Sequence, residues 1–573
     1  MRYSRRDFLK ASTAVSGCLV SPAAVRESPL FRDVATQAGL NFRHFNFSTG
    51  QHYMPEVMGP GVALFDYDND GDLDVYLVQG SRLDRSGKFI VPPPSGWKPG
   101  NRLFRNLRTE TGAMRFADVT EKAGVGHDGY GMGVAVGDYD DDGLLDLYVT
   151  NYGPNVLYRN NGDGTFTDVT RAAGVEDEHW STSATWADFH GEGHLDLFVC
   201  NYVDFTVAGN RRCTSPAGEP DYCTPKAYHP VPSRLFRNLG NGKFEDVSQK
   251  AGIGDPHSKS LGVTVFDYDM DGFPDIFVAN DTQPNKLYHN NKNGTFSEVG
   301  MSAGVAFGED GVARGAMGVD TGDYDRSGRP HLLVGNFSNQ MLGLYHNEGT
   351  GLFVDEAPTS TVGRASLLSL AFGVFFFDYD LDGYMDIFTA NGHIEEEIGR
   401  VQPKVQYKEP PLLFRNLGKR KFESVASKMG ADFNRPVVAR GAAYADIDHD
   451  GDLDLLITTN HGPAYLYRND GGNKNKFLCV RTVGTKSNRS GIGAVVRIES
   501  ASGKQWHTVR SGSSYCSQSD LALTFGLGND PQVTSLEIEW PSGTRQKLTN
   551  IAANQFITVE EGKGITSKSG PSR

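Results

Sequence analysis

Apolar residues in this chain come in short runs separated by polar, glycine-rich turns, and the same arrangement returns again and again from Phe31 to Asn469. Runs such as Val62-Ala-Leu-Phe65, Leu73 to Val78 and Leu197-Phe-Val-Cys200 are short and rich in β-branched and aromatic residues, which predicts strands. Between the first two runs lies Asp66-Tyr-Asp68-Asn-Asp70-Gly71-Asp-Leu-Asp74, and recognisable copies begin at Asp138, Asp188, Asp267, Asp323, Asp378 and Asp446. Two further signatures accompany each copy. One is Leu-aromatic-Arg/His-Asn, from Leu103 to Asn106 through to Leu466 to Asn469; the other is a strand opened by phenylalanine, at Phe31, Phe116, Phe166, Phe244, Phe296, Phe353 and Phe422.

Each repeat therefore reads as strand, acidic loop, strand, Leu-aromatic strand and Phe strand, a four-stranded antiparallel sheet. The acidic loops are 50 to 79 residues apart, which suits propeller blades with insertions and excludes a nine-residue β-roll. A Phe strand precedes the first loop and none follows Leu466 to Asn469. The order predicts an all-β chain: a seven-bladed β-propeller over residues 31–470, closed by its N-terminal strand Phe31 to Val34. Short alternating strands then predict a small β-domain over 476–561, and the polar composition of 562–573 predicts a disordered tail.

Carboxylates at positions one, three, five and nine of a tight turn bring several hard oxygens around one point. Calcium takes six to eight oxygens at roughly 2.3–2.6 Å, whereas magnesium retains its waters and zinc prefers nitrogen and sulfur. The expected cofactor is calcium at about five sites. The ligands would be Asp66, Asp68, Asp70 and Asp74; Asp138, Asp140, Asp142 and Asp146; Asp267, Asp269, Asp271 and Asp275; Asp378, Asp380, Asp382 and Asp386; and Asp446, Asp448, Asp450 and Asp454. An EF-hand is excluded, because the twelfth-position glutamate and the flanking helices are missing. Two copies are degenerate. His190 and Glu192 replace acids three and five in the third repeat, and Ser327 and His331 replace acids five and nine in the fifth, which leaves metal at Asp188, Glu192, Asp196, Asp323 and Asp325 open.

The net charge of −14 is mostly these loops, and bound calcium would offset much of it. Nothing in the balance favours a nucleic-acid partner. Ser4-Arg5-Arg6-Asp7-Phe8-Leu9-Lys10 and the apolar run that follows have the form of a twin-arginine export signal over residues 1–25, which predicts a periplasmic, cell-surface or extracellular protein. Cleavage near Ser21-Pro-Ala23 is preferred, with a lipid anchor at Cys18 as the alternative; no transmembrane segment is expected. Cys213 and Cys223 share one polar insertion and predict a disulfide, Cys479 and Cys516 could form a second, and Cys200 reads as a buried thiol.

The loops with their flanking strands resemble FG-GAP/VCBS repeats, the calcium-loop blades also seen in integrin α-subunit propellers. Ser487-Asn-Arg489-Ser-Gly-Ile-Gly-Ala494, Ser517-Gln518, Phe525-Gly-Leu-Gly528 and Trp540-Pro-Ser-Gly543 resemble an ASPIC/UnbV domain. The combination is similar to that of bacterial proteins resembling cartilage acidic protein. The resemblance implies a secreted calcium-binding propeller, with a main-chain carbonyl from loop position seven as a further ligand. It names a fold and a cation but no reaction.

In such a propeller the calcium loops occupy one face, and the insertions 80–100, 202–233 and 392–411 open on the other. That second face also carries Asn151, Asn201, Asn280, Asn336, Asn391 and Asn460 at strand ends, with His393, His461, Lys259, Arg314 and Arg440 near the predicted channel mouth. The asparagines read first as turn caps. Two functions follow. One is a non-enzymatic protein that binds a protein or glycan on the face opposite the calcium loops. The alternative is a lyase, dehydratase or isomerase using His393 or His461 beside Arg314 or Arg440.

Overall fold

The structure, a computed structural model, describes residues 30–83, 89–94, 97–215 and 218–572. The export signal and Cys18 lie outside the described residues. Strands make up 40% of the chain and helices 8%, so the all-β expectation holds.

Seven four-stranded antiparallel sheets carry the repeats. The first contains Val62–Phe65, Asp74–Leu77, Arg102–Asn106 and Phe116–Asp118, and the next five repeat this order. In the seventh, Ala439–Ala445, Asp454–Thr459 and Tyr465–Asn469 are joined by Phe31–Asp33, whose Phe31 lies opposite Asn469. The first strand of each sheet touches the first strand of the next, and Ala439–Ala445 touches Val62–Phe65. Apolar layers fill the spaces between neighbours. One joins Phe65, Tyr76 and Leu103 to Val134, Leu147 and Phe166; another joins Val62, Leu64 and Phe104 to Ala443, Leu456 and Leu466. Each fully buried side chain of this size contributes roughly 1.5–3 kcal/mol, so the inter-sheet layers are the main source of cohesion.

The C-terminal part forms two more four-stranded sheets. One orders Leu523–Gly528, Lys476–Val483, Gln555–Glu560 and Gly564–Ser569; the other orders Gly503–Thr508, Val495–Ser500, Gln532–Glu539 and Arg545–Ala552. Here the expectation of a disordered tail from residue 562 is corrected. Gly564–Ser569 pairs antiparallel with Gln555–Glu560, because the turn at Gly562 reverses the chain onto an open sheet edge.

A loop of this domain, Arg510 to Asp520, leaves its sheets and runs among the first strands of the repeats. Its backbone pairs with several of them: Gln518 N–H donates to Val62 O (2.8 Å), Leu64 N–H to Gln518 O (3.0 Å), Val134 N–H to Cys516 O (3.2 Å), and Ser514 and Val319 exchange bonds of 2.8 and 2.9 Å. Tyr515 at the tip is fully buried, donates to Met58 O at 2.7 Å and packs against Phe372. Glycine at position 61 is required by this approach, since a Cβ there would stand 1.8 Å from Cys516 O.

The cysteines follow from the same packing. Cys213 and Cys223 are bonded, as expected, and Cys200 is a buried thiol. Cys479 and Cys516 are both free, against expectation. Cys479 stays in a strand of the C-terminal sheets, whereas the central loop carries Cys516 to within 3.8 Å of Ser183 Oγ.

Candidate metal centres

The acidic loops share one hydrogen-bond scheme. In the first, Asp66 accepts from the backbone N–H groups of Asp70 and Gly71, both at 3.1 Å, which wraps the chain around its carboxylate. Asp74 accepts from Tyr67 N–H at 3.0 Å and from Asn106 N–H at 2.8 Å, tying the loop to the third strand. The copies at Asp138, Asp267, Asp378 and Asp446 repeat the wrap. Gly71, at position six, has φ 90°, the left-handed region that favours glycine. Position four is also left-handed, at Asn69, Asp141, Met270, Leu381 and His449, which no residue preference revealed.

In four of the five complete loops the position-three acid has an oxygen with no protein partner. The Oδ1 atoms of Asp68, Asp140, Asp380 and Asp448, all at position three, are buried without a hydrogen bond. A buried carboxylate oxygen left bare costs about 1–3 kcal/mol or more, so four equivalent ones call for a ligand. The Asp66–Asp68–Asp70 and Asp138–Asp140–Asp146 groups are close enough to hold one ion between them. The donors are hard oxygens, which fits a hard divalent cation. Burial and mutual repulsion push the same acids upward: Asp66, Asp267, Asp380 and Asp448 to about 6, Asp138 to about 7 and Asp275 to about 8. Asp74, Asp146, Asp378, Asp386, Asp446 and Asp454 are raised well above the usual carboxylate range, with burial as the first cause. A divalent ion at the centre of each group would remove that penalty.

The Leu-aromatic-Arg/His-Asn signature has its explanation here. Its asparagine links neighbouring repeats: Asn160 Nδ2 donates to Tyr67 O (2.7 Å), Asn238 to Tyr139 O (2.8 Å), Asn290 to Phe189 O (3.0 Å), Asn347 to Tyr268 O (2.8 Å), Asn416 to Tyr324 O (2.7 Å), Asn469 to Tyr379 O (2.8 Å) and Asn106 to Ile447 O (3.3 Å). The basic residue before it faces its own loop. Arg105 meets Asp68 and Asp70 at 2.6 Å, and Arg415 meets Asp380 at 2.7 Å and Asp382 at 3.0 Å. These residues were visible as a repeat signature, but their contact with the loops was not.

The family model of FG-GAP-like repeats matches residues 66–149, 138–199, 218–278, 267–334 and 323–389, and that of ASPIC and UnbV matches 484–566. The chain belongs to the FG-GAP-like repeat family and carries an ASPIC and UnbV domain. It is 27% identical over 330 residues to cartilage acidic protein 1 of Homo sapiens, covering 56% of this chain and 46% of that protein. It is 28% identical over 321 residues to the protein of the same name from Xenopus tropicalis, covering 53% and 45%. The chain thus spans about half the length of the curated relatives it matches. Among solved structures, an Agrocybe aegerita lectin that recognises non-reducing terminal N-acetylglucosamine aligns with TM-score 0.36 at 15% identity, over 70% of this chain and 87% of that one. The Bacillus licheniformis rhamnogalacturonan lyase aligns with TM-score 0.31 at 12% identity, over 89% and 92%.

The ASPIC and UnbV domain lies against the acidic loops of the FG-GAP-like repeats. Arg489 N–H donates to Asp141 Oδ1 at 2.9 Å, Trp506 Nε1 to Asp323 Oδ2 at 2.7 Å, and Gly528 N–H to Leu381 O at 2.9 Å, while Arg481 stands 3.9 Å from Asp66.

The four residues proposed for catalysis do not form an open site. His393, expected on a channel mouth, is fully buried; its Nδ1 accepts from Glu395 N–H at 3.0 Å, and burial, then the Arg440 charge, lowers its pKa to about 4. Arg440 is also fully buried. It donates to Val57 O, Gly392 O, Ala439 O and His393 O, at 2.7 to 3.3 Å, and lies 4.0 Å over the Phe372 ring. Its donors are thereby committed to the backbone. Arg314 pairs with Asp355 at 3.2 Å, and His461 packs edge-on against Phe45. The expected mouth is corrected for a plain reason: the central loop and the insertions cover it, with Tyr53, Trp180, Tyr202, Phe205 and Tyr228 packed in one apolar cluster with Tyr515. Five of the strand-end asparagines cap the segment that follows, as read: Asn151 donates to Pro154 O, Asn201 to Pro232 O, Asn280 to Pro284 O, Asn336 to Met341 O and Asn391 to Pro410 O, whereas Asn460 donates to Glu56 O.

Proposed function

We propose that this chain is an exported calcium-binding propeller of seven blades, closed by its N-terminal strand, that binds a protein or glycan in the periplasm or at the cell surface. The observation that supports calcium most directly is the set of bare, buried Oδ1 atoms at position three of four complete loops. Calcium in all five complete loops would stiffen the repeats and the face on which the ASPIC and UnbV domain rests. Calcium would then serve structure, and binding would fall to surfaces away from the loops.

The cleft that favours a partner lies between the first and last repeats, on the side of the insertion 80–100. It measures about 420 Å³ and combines Arg43, Lys98 and Arg102 with Phe42 and Trp97. Aromatic faces beside cations suit a glycan or an acidic peptide segment. The test has two parts. Calcium measured by plasma mass spectrometry after exhaustive dialysis should be stoichiometric, and a glycan and periplasmic-extract screen should return a ligand lost in Trp97→Ala. Protein without bound calcium overturns the first part, and binding indifferent to Trp97 and Arg43 overturns the second.

A further inference from the structure

The two degenerate loops differ from the complete ones in a reciprocal way. In the complete loops acids three and nine lie close together, as at Asp140 and Asp146, and in four of the five acid three keeps a bare Oδ1; in the Asp267 loop His289 Nδ1 stands 3.6 Å from Asp269 and 3.3 Å from Asp275 without a hydrogen bond. In the third repeat, position three is His190, whose Nδ1 lies 2.7 Å from Asp196 Oδ2 at position nine. In the fifth, position nine is His331, whose Nε2 lies 2.9 Å from Asp325 Oδ1 at position three. One loop has His at three and Asp at nine, the other Asp at three and His at nine. Both close the same gap with one hydrogen bond.

The remaining contacts keep each scaffold intact. Asp188 and Asp323 still accept the wrapping N–H groups, Glu192 and Gly193 in the third repeat, Ser327 and Gly328 in the fifth. Asp196 accepts from Phe189 N–H and Asn238 N–H as its counterparts do. His331 imitates that carboxylate: its Nδ1 accepts from Asn347 N–H at 3.0 Å, so the ring proton sits on Nε2 and faces Asp325. His346 adds its Nε2 at 2.9 Å to Asp325 Oδ2, and Arg237 pairs with Glu192. No position-three or position-nine oxygen in either loop is left bare.

We infer that in the third and fifth repeats a histidine N–H takes the place of the cation, so that these loops are held closed without calcium while the five complete loops depend on it. A neutral ring with one proton suffices, so the arrangement does not need a charged histidine. Calcium has no use for an N–H pointing into its cage, and His331 cannot offer Nε2 to zinc while Nδ1 accepts the Asn347 amide. The inference rests on the calcium reading above and divides its sites.

Hydrogen exchange on the full chain, with calcium and then with chelator, tests it loop by loop. The amides of Asp70, Gly71, Asp142, Gly143, Asp271, Gly272, Asp382, Gly383, Asp450 and Gly451 should lose protection in chelator, and those of Glu192, Gly193, Ser327 and Gly328 should keep it. A response in all seven loops overturns the inference and leaves the calcium reading intact; a response in none overturns both. Native mass spectrometry supplies the second arm. Wild type should carry five calcium ions, His190→Asp six and Asp68→His four. Seven ions in wild type, no gain in folded His190→Asp, or stoichiometric zinc uptake lost in His331→Ala would each overturn it.

Discussion

Withdrawing calcium should cost this protein an amount comparable to its whole folding free energy, and the loss should depend on pH in an unusual direction. At free calcium a hundred times Kd, each site adds about 2.7 kcal/mol. Five sites bring this to on the order of 10 kcal/mol, within the range of an entire domain's stability. In the calcium-free protein the loop acids stay buried together, and their raised pKa values set the sign. A carboxyl raised in the folded state binds its proton more tightly there than in the unfolded chain, so its penalty is full above the folded value and shrinks as pH falls through it. Asp275, raised to about 8, and Asp138, raised to about 7, therefore make metal-free protein more stable on going from pH 8 to 6.5. At 1.36 kcal/mol per unit, Asp275 alone contributes roughly 1.5 kcal/mol over that interval. Below pH 6.5 the buried histidines lower the stability of both forms alike. His44, His393, His449 and His507 are held neutral by burial, near 3 to 4, and the unfolded chain takes up their protons first. These histidines, like Glu56 and Glu409, which burial raises to about 7 and about 8, titrate in both forms and cancel in the difference. Scanning fluorimetry in chelator minus that in calcium, stepped from pH 8 to 5, should show a gap that narrows throughout as pH falls. A gap that widens steadily as pH falls, or no gap, would refute the reasoning.

Three further outcomes are expected. Gly526→Ala would put a Cβ 2.0 Å from Asp378 Oδ2 and 2.6 Å from the Leu381 backbone, so it should lower stability by at least about 2 kcal/mol and remove one calcium ion, read by melting and native mass spectrometry. Arg440→Met strips four backbone carbonyls of their donor and should cost about 3 kcal/mol or more; Arg440→Lys should restore little, since an ammonium cannot match the fork. Reducing Cys213–Cys223 opens a loop with a sequence separation of 10, worth about 3 kcal/mol locally, so limited proteolysis under reductant should cut within 202–233 while the sheets stay intact.

The repeat unit was legible because short apolar strand runs, acidic loops and the two companion signatures all pointed the same way, and the same acids recurred with the same spacing. The surroundings of those acids were not, because they are built by chain segments far apart. Nothing near Gly61 announces that Cys516 O approaches it, and nothing near Met58 announces Tyr515. The histidines show the limit most clearly. His393 follows a strand end and precedes three glutamates, a polar neighbourhood in sequence, yet Ser338, Phe337 and the Arg440 guanidinium enclose it. His331 read as a lost ligand, and only the positions of Asp325 and the Asn347 amide make it a substitute for one. The tail after Gly562 read as disordered because polarity alone cannot distinguish a solvated coil from an edge strand with one wet face.

The third-strand asparagines suggest how the loops influence one another. Asn160 holds Asp146 of its own loop through its backbone N–H and, through Nδ2, both Leu145 O and Tyr67 O of the preceding loop. An ion leaving the Asp138 group frees Asp146 to move, and Asn160 then pulls on the residue next to Asp66. The same three-way link recurs at Asn238, Asn290, Asn416 and Asn469, so no acidic loop relaxes alone. Loops three and five, braced by His190 and His331, lie within this chain of links and would not open with the rest. Their neighbours at Asp138, Asp267 and Asp378 are thus anchored on at least one side by a loop that needs no ion, whereas the loops at Asp66 and Asp446 are linked to each other, through Asn106 and Ile447, across the join between the first and last repeats. That join is where calcium loss should loosen the molecule first.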